Sequence, residues 1–343
     1  MKRSLALTAA LALMLVACGT ATPADEDTTT PIGEDANRSL TLYSGRSEDL
    51  VAPLVERFES ETGIDVEVRY AGSGELATVL AQEGESTPAD VFWSQDPAFA
   101  GAVALAGLFE PLPAEILDLV DARYSDGEGR WVGVTARNRV FVYNPTLVDA
   151  LPADIWALTD PEWKGRIGVA PTNGSFVAFV SAMLATEGRE RTLAWLEGVA
   201  ANEPQIFDGN SPIVAAVDGG DVDAGLVNHY YLLRLAAEQN GATAINHSFE
   251  SGDPGALVMP SGAGLIAGAD NRDEALEFIG FLLAEESQRY FLDEVFEYPL
   301  VDGIGTPEGQ LPLTDLPTLD LDPTALAEVV DDATSLIAEA GLT

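Results

Sequence analysis

Apolar and polar positions along the chain recur with two periods, and the switches between them mark out the elements. Ser39-Leu-Thr-Leu-Tyr-Ser44 alternates with period two and stops at Gly45, which predicts a strand. Leu50, Val51, Leu54, Val55 and Phe58 then recur at helical spacing, predicting a helix over Glu48–Thr62 that ends at Gly63. A strand over 64–70, a helix over 74–83 and a short buried strand over 89–93 follow. Strand, helix, strand, helix, strand is the order of an α/β sheet with mainly parallel strands. The same order returns with a strand over 165–170, helices over 176–187 and 190–200, a strand over 224–227 and a helix over Tyr230–Gln239. Strands over 256–260 and 263–269, a helix over 273–283, a Pro- and acid-rich stretch over 303–323 and one closing amphipathic helix over 324–340 complete the pattern. Two α/β units in one chain predict a bilobed binder with a cleft.

Ahead of this pattern the chain has a different character. Lys2 and Arg3 precede an apolar run from Leu5 to Ala17, broken by Thr8 and proportioned as a signal-peptide core. It ends in Leu15-Val16-Ala17-Cys18, which resembles the lipobox of bacterial lipoproteins, where the Cys becomes the lipid-bearing N-terminus. An ordinary secretory signal with a nearby Cys is the alternative. Residues 1–17 are therefore read as a signal peptide, and 18–38 as lipidated Cys18 with a flexible acidic tether. That places the protein outside the cytoplasm, at the outer face of the cell membrane or in the periplasm, held by lipid alone. Cys18 is the sole cysteine, so an internal disulfide is impossible. The roughly 305 residues from Ser39 onward suit two domains rather than one.

Charge narrows the partners. A net charge of −39 argues against nucleic acid or an anionic membrane surface, since both need basic patches. It serves solubility and attracts cations, but it does not identify a ligand. Catalytic signatures are missing: the chain has no Gly-x-Ser-x-Gly elbow, no His-Glu-x-x-His and no catalytic Cys. Asp218-Gly-Gly-Asp-Val-Asp223 lacks EF-hand spacing and reads as a turn. The expectation is a monomeric binding protein, with no enzyme activity and no catalytic cofactor.

A series of short motifs sharpens this. In order they are Leu42-Tyr-Ser-Gly45, Pro88-Ala-Asp-Val-Phe-Trp-Ser94, Trp131-Val-Gly-Val134, Arg139-Val-Phe-Val-Tyr-Asn144, Pro161-Glu-Trp-Lys-Gly-Arg-Ile-Gly168 and Pro171-Thr-Asn-Gly174. Asp223-Ala-Gly-Leu-Val-Asn-His-Tyr-Tyr231, Asp253-Pro-Gly-Ala-Leu257 and Glu297-Tyr-Pro-Leu300 follow. In this order the series resembles the ferric-ion-binding proteins of bacterial ABC importers, within the type II periplasmic-binding-protein fold. The resemblance implies two lobes joined by crossing hinge strands and closing on a ligand in the cleft between them. It also implies lobe I over 39–136 plus 260–300, lobe II over 137–259 plus 301–343, and delivery to an ABC permease with its ATPase.

Ferric iron is a hard Lewis acid that favours anionic oxygen, and tyrosine supplies phenolate once the metal displaces the proton. Tyr230 and Tyr231 stand just after a strand, at the expected start of a helix, where partial positive charge and free N–H groups favour anionic ligands. The other reading of a Tyr pair is a packed domain seam with its hydroxyls at a wet edge. The resemblance makes Tyr230 and Tyr231 iron ligands. It makes Asn173, Gly174, Ser175, Asn210 and Asn228 the holders of a synergistic anion such as carbonate or phosphate; the same residue types also serve as ordinary turns and caps.

Two departures stand out. Where family members place a His after the first strand and a Glu after the third, this chain has Ser47 and Gln95. Asp96, one residue on, is the further candidate ligand beside Gln95. Near Pro171, where other members recruit a third Tyr, Phe176 stands here, and Tyr143 reads as part of a crossing strand. His229 adjoins the pair, and Arg46, Arg137 and Arg139 are free to pair with cleft anions or with surface acids. The same fold with a polyamine, thiamine, an oxyanion or an iron chelate as cargo is the alternative.

Overall fold

The computed structural model describes residues 38–342; the expected signal peptide, Cys18 and nearly all of the expected tether lie outside the described residues. The first strand, β1 (Ser39–Ser44), lies between β2 (Asp65–Tyr70) and β3 (Val91–Ser94) and runs parallel to both. The helices Glu48–Thr62 and Ser73–Glu83 make the two crossovers. Gly63 ends the first of them in the left-handed conformation, φ 71°, where its N–H returns to the Glu59 carbonyl. β4 (Phe109–Glu110) is a short antiparallel addition.

The long strand β5 (Val132–Tyr143) organises the rest, and only Tyr143 of its 12 residues escapes full burial. Beyond it come β6 (Ile167–Val169), β7 (Gln205–Ile206), β8 (Ala224–Asn228), β9 (Ile245–His247), β10 (Val258–Ile266) and β11 (Tyr298–Pro299). The strand order is β2-β1-β3-β10-β5-β8-β6-β7. Up to Asn138, β5 pairs antiparallel with β10; from Arg139 onward it pairs antiparallel with β8. The change of partner falls between two adjacent residues, so β5 carries the chain from one half of the sheet into the other. β10 returns beside it. These are the crossing strands of a two-lobed α/β fold, and a large core cluster runs through both halves.

Three features depart from the periodicity reading. The strands expected over 256–260 and 263–269 are a single strand, β10, whose register slips between Pro260 and Gly262. Pro260 has no N–H to give the ladder, and the strand absorbs this as an irregularity instead of ending. The closing helix over 324–340 is two helices, Pro323–Glu328 and Val330–Glu339, broken at Val329. Each packs on a different partner, so one straight axis does not serve both. The helix Pro97–Leu105 carries no helical period because Pro97, Ala98, Ala100, Gly101, Val103 and Ala104 are all buried. Among the described residues no helix is long and apolar enough to cross a membrane.

Gly133 of β5 lies where a Cβ would run into the Tyr124 carbonyl oxygen and stand 2.8 Å from Leu300 Cδ1. A backbone oxygen cannot swing aside as a side chain can. Gly133→Ala is therefore expected to lower stability by about 1–3 kcal/mol in urea titrations, the usual range for overpacking a tight core.

Candidate functional site

Two loops at the carboxyl ends of adjacent parallel strands begin the site. After β1 comes Ser44-Gly45-Arg46, and after β3 comes Ser94-Gln95-Asp96. In each, the Ser hydroxyl spans the residue two ahead. Ser44 Oγ accepts from the Arg46 N–H and donates to its carbonyl, both at 3.2 Å. Ser94 Oγ does the same for Asp96, at 3.3 and 2.8 Å. The pair of loops thus presents one cation and one carboxyl side by side, both buried. Gly45 has no room for a side chain, because Ser73 Oγ occupies that space and accepts the Gln95 N–H at 2.9 Å.

Arg46 donates from Nη2 to Glu297 Oε1 at 2.7 Å, and Thr135 of β5 donates to Glu297 Oε2 at 2.6 Å. Arg137, also on β5, is fully buried, and none of its three guanidinium nitrogens has a partner among the described residues. Arg46 Nε and Nη1 are equally unpartnered. Burial alone would raise the Glu297 carboxyl, but Arg46, Arg137 and the Thr135 hydroxyl more than offset it and hold it below the usual range. Burial also pushes the Asp96 carboxyl up to about 6, moderated by the Phe99 N–H and by Arg137. Asp96 Oδ1 caps the helix Pro97–Leu105 through that N–H at 3.1 Å, while Oδ2 is buried without a partner.

Tyr230 opens the helix Tyr230–Gln239, as its position after a strand implies. Its ring stacks on Tyr231 with centroids 4.2 Å apart and planes 29° apart. At a helix start, neighbouring side chains that would otherwise point about 100° apart are able to lie together. Tyr230 is fully buried, and its hydroxyl has no partner. Burial pushes this phenol well above its ordinary value and Tyr231 pushes it further, while Arg46 and Arg137 pull it down. His229 is committed elsewhere. Its Nδ1 accepts the Asn138 N–H at 3.4 Å, which leaves Nε2–H to donate to the Phe296 carbonyl at 2.9 Å. Burial lowers its pKa to about 4, so the ring is neutral.

The polar set on the other side is largely satisfied within itself. Asn173 Oδ1 accepts from the Ser175 N–H and hydroxyl at 3.1 and 2.6 Å, and from Asn210 Nδ2 at 3.3 Å. Ser175 Oγ also accepts from Asn210 Nδ2 and from Arg139 Nη1. Asn173 also takes the Ser175, Phe176 and Val177 N–H groups, so at the start of the helix Gly174–Glu187 the backbone donor left for an anion is the Gly174 N–H. Asn228 differs: it is fully buried and both its amide atoms are unpartnered. Asp96 and Gln95 approach this side, since a Cβ on Gly174 would lie 2.7 Å from Asp96 Oδ2 and 3.9 Å from Gln95 Oε1. Ser47 is exposed and does not join them.

Surface pairing with acids does not describe Arg46, Arg137 and Arg139, which are all fully buried. Glu297 entered the sequence reading only as part of a motif. The legible signal is two arginines inside a largely apolar strand, and an acid framed by Phe296 and Tyr298. Among the described residues no three His, Cys, Asp or Glu side chains group as a metal site.

Two half-sheets joined by crossing strands, with a buried polar cluster where their ends meet, define a cleft-type solute-binding protein. The chain belongs to the bacterial extracellular solute-binding protein family, whose profile matches residues 44–289. It is 37% identical to the Fe(3+)-binding periplasmic protein of Serratia marcescens, over 90% of this chain and 91% of that protein. The crystal structure of iron-bound HitA from Pseudomonas aeruginosa superposes with a TM-score of 0.84 at 36% identity, covering 89% of this chain and 99% of that one. A Trichodesmium protein in complex with iron and citrate ligands superposes at 0.73 with 26% identity, over 89% and 100%.

Glu297 is the carboxylate in contact with Arg46 and the charge that offsets Arg137. Glu297→Gln should cost about 3–5 kcal/mol in urea titrations, the range for stripping one partner from a buried ion pair. Thr135→Val, which removes the uncharged hydroxyl bonded to Glu297 and Ser261, should cost about 1–3 kcal/mol.

Proposed function

We propose that this chain is the extracytoplasmic ferric-iron-binding component of an ABC importer, capturing the ion in the cleft and handing it to a membrane permease driven by an ATPase. The observation that carries this reading is the stacked Tyr230–Tyr231 pair at a helix start, with the buried guanidinium groups of Arg46 and Arg137 acting on the Tyr230 phenol. Iron relatives along nearly the whole chain support it. Tyr230 and Tyr231 bind the ion as phenolates, with Asp96 Oδ2 and then Gln95 Oε1 the further protein oxygens. No catalytic step is assigned to the chain. Cys18, lipidated after export, tethers the binder near its permease and raises its local concentration. Lobe I comprises 39–136 plus 260–300 and lobe II comprises 137–259 plus 301–343.

Charge supports a companion anion. Three buried guanidinium groups and a ferric ion outweigh Glu297, an ionised Asp96 and two phenolates by two positive charges. An excess of that size is untenable away from water, so a dianion or its equivalent enters with the iron. Arg46, Arg137, Asn228 and the Gly174 N–H are the donors for it. Carbonate, phosphate and a carboxylate chelate all meet this demand, and citrate accompanies iron in the Trichodesmium relative. The unpartnered arginines also favour a second reading, an oxyanion carried without metal.

A visible absorption titration of the lipid-free protein with a ferric chelate separates the two. Wild type should develop a saturable tyrosinate charge-transfer band at one iron per chain, and the Tyr230→Phe/Tyr231→Phe double variant should stay colourless. A colourless wild type that is folded and binds phosphate or citrate would sink the iron site and leave the oxyanion reading. Uptake should also release about two protons per iron in weakly buffered solution, because binding displaces both phenolic protons. Binding therefore strengthens as pH rises.

A further inference from the structure

The helix pair at the end of the chain lies across both halves of the fold. After β11, the chain passes along the second half, where the Gly252 N–H donates to the Thr318 carbonyl and the Leu319 N–H to the Ala256 carbonyl. Pro323–Glu328 then packs chiefly on the helix Pro97–Leu105, which lies on β3 and β10 of the first half. Val330–Glu339 packs chiefly on Gly174–Glu187, the helix whose start faces the cleft. Leu326, Val330, Ala333, Leu336 and Ile337 join the core of the second half, and they bring Ala98 of Pro97–Leu105 into that same core. A first-half helix is thereby packed into a second-half interior.

The grip acts on site residues at both ends. Asp96 caps Pro97–Leu105, and Gly174 opens the helix that it meets across the cleft. A pocket of about 300 Å³ lies at this junction, bounded by Ser73, Gly74 and Phe99 on one side, Pro171 and Gly174 on the other, and Ile337 of the last helix. The contact that lets the pair approach is Gly101 against Ala327. A Cβ at Gly101 would lie 2.5 Å from Ala327 Cβ, closer than two carbons approach without displacement.

We propose that the C-terminal helix pair is a latch on the closed cleft, and that the Gly101–Ala327 contact is the positioning element that sets how firmly Asp96 is held against Gly174. Opening the cleft separates Pro97–Leu105 from Gly174–Glu187, and the helix pair, seated on both, must release one of them. The latch thus adds to the barrier for cargo loss without touching the cargo.

The test compares wild type, Gly101→Ala, Ala327→Gly and the double variant, because Ala327→Gly removes the very atom that the methyl added by Gly101→Ala would strike. One arm measures chelator-driven iron loss; it rests on the ferric reading of the cleft. Gly101→Ala should speed loss about tenfold or more, and the double variant should return to within about threefold of wild type. The other arm uses hydrogen exchange on iron-free protein and needs no cargo. There Gly101→Ala should raise exchange about tenfold across 97–105 and 171–180 and leave Glu48–Thr62 unchanged, with reversal in the double variant. Exchange that rises uniformly, stays unchanged at 171–180, or fails to reverse overturns the latch. A wild type that takes up no iron yet shows the exchange pattern overturns the cargo and supports the latch.

Discussion

Arg46, Arg137 and Arg139 lie out of water around the start of the helix Tyr230–Gln239, and much of the molecule is arranged to make that tolerable. Glu297 reaches Arg46 across 251 residues of chain. Thr135 holds Glu297 in place, and Ser261 of the returning strand lies against Thr135 at 3.1 Å. Arg139 rests on Phe176 and Phe179 with its charge donated to Ser175 and to the Leu226 carbonyl; burial still lowers its pKa to about 9. Arg137 has the Glu297 charge nearby but no hydrogen-bond partner among the described residues. Stability is given up here for an electrostatic field, which is the usual bargain at a binding site. Arg46 and Arg137 pull the Tyr230 phenol down against the larger effect of burial, and on the proposed reading their charge calls for an anion beside the iron.

Positive charge around a cation site looks paradoxical until the ligands are counted. A cleft lined with carboxylates would hold many cations. A cleft of phenols and guanidinium groups holds one that is acidic enough to strip two phenols and to bring its own anion. Divalent ions are poorer at both. On the proposed ferric reading, selectivity would come from what the site withholds as much as from what it offers.

The elements near the tyrosines were legible because their signals are local. The strand before the pair, the helix starting at Tyr230 and the glycine ends all follow from neighbours in sequence. The lobe-crossing burial of Arg46 was not legible, because nothing local distinguishes it from a surface arginine in so acidic a chain, whereas Arg137 stands inside a largely apolar strand. Asn173, Ser175 and Asn210 do cluster, yet the cluster draws on two separate segments and on Arg139 from a third. The closing helix reads as one amphipathic stretch because both of its halves bury apolar faces. Only the packing partners reveal the break at Val329.

The place of β10 in the sheet bears on how the chain reaches this structure. It lies between β3 and β5, so strands formed by residues 91–143 wait for residues 258–266 before their edges are covered. The Arg46 guanidinium likewise has no carboxylate until Glu297 exists. A ribosome that has delivered two thirds of this chain has delivered nothing able to close its central sheet. Contacts at such sequence separation make for slow collapse into the final state and a long-lived open chain. A late-arriving keystone strand of this kind leaves the central sheet of the growing chain open until synthesis is nearly done.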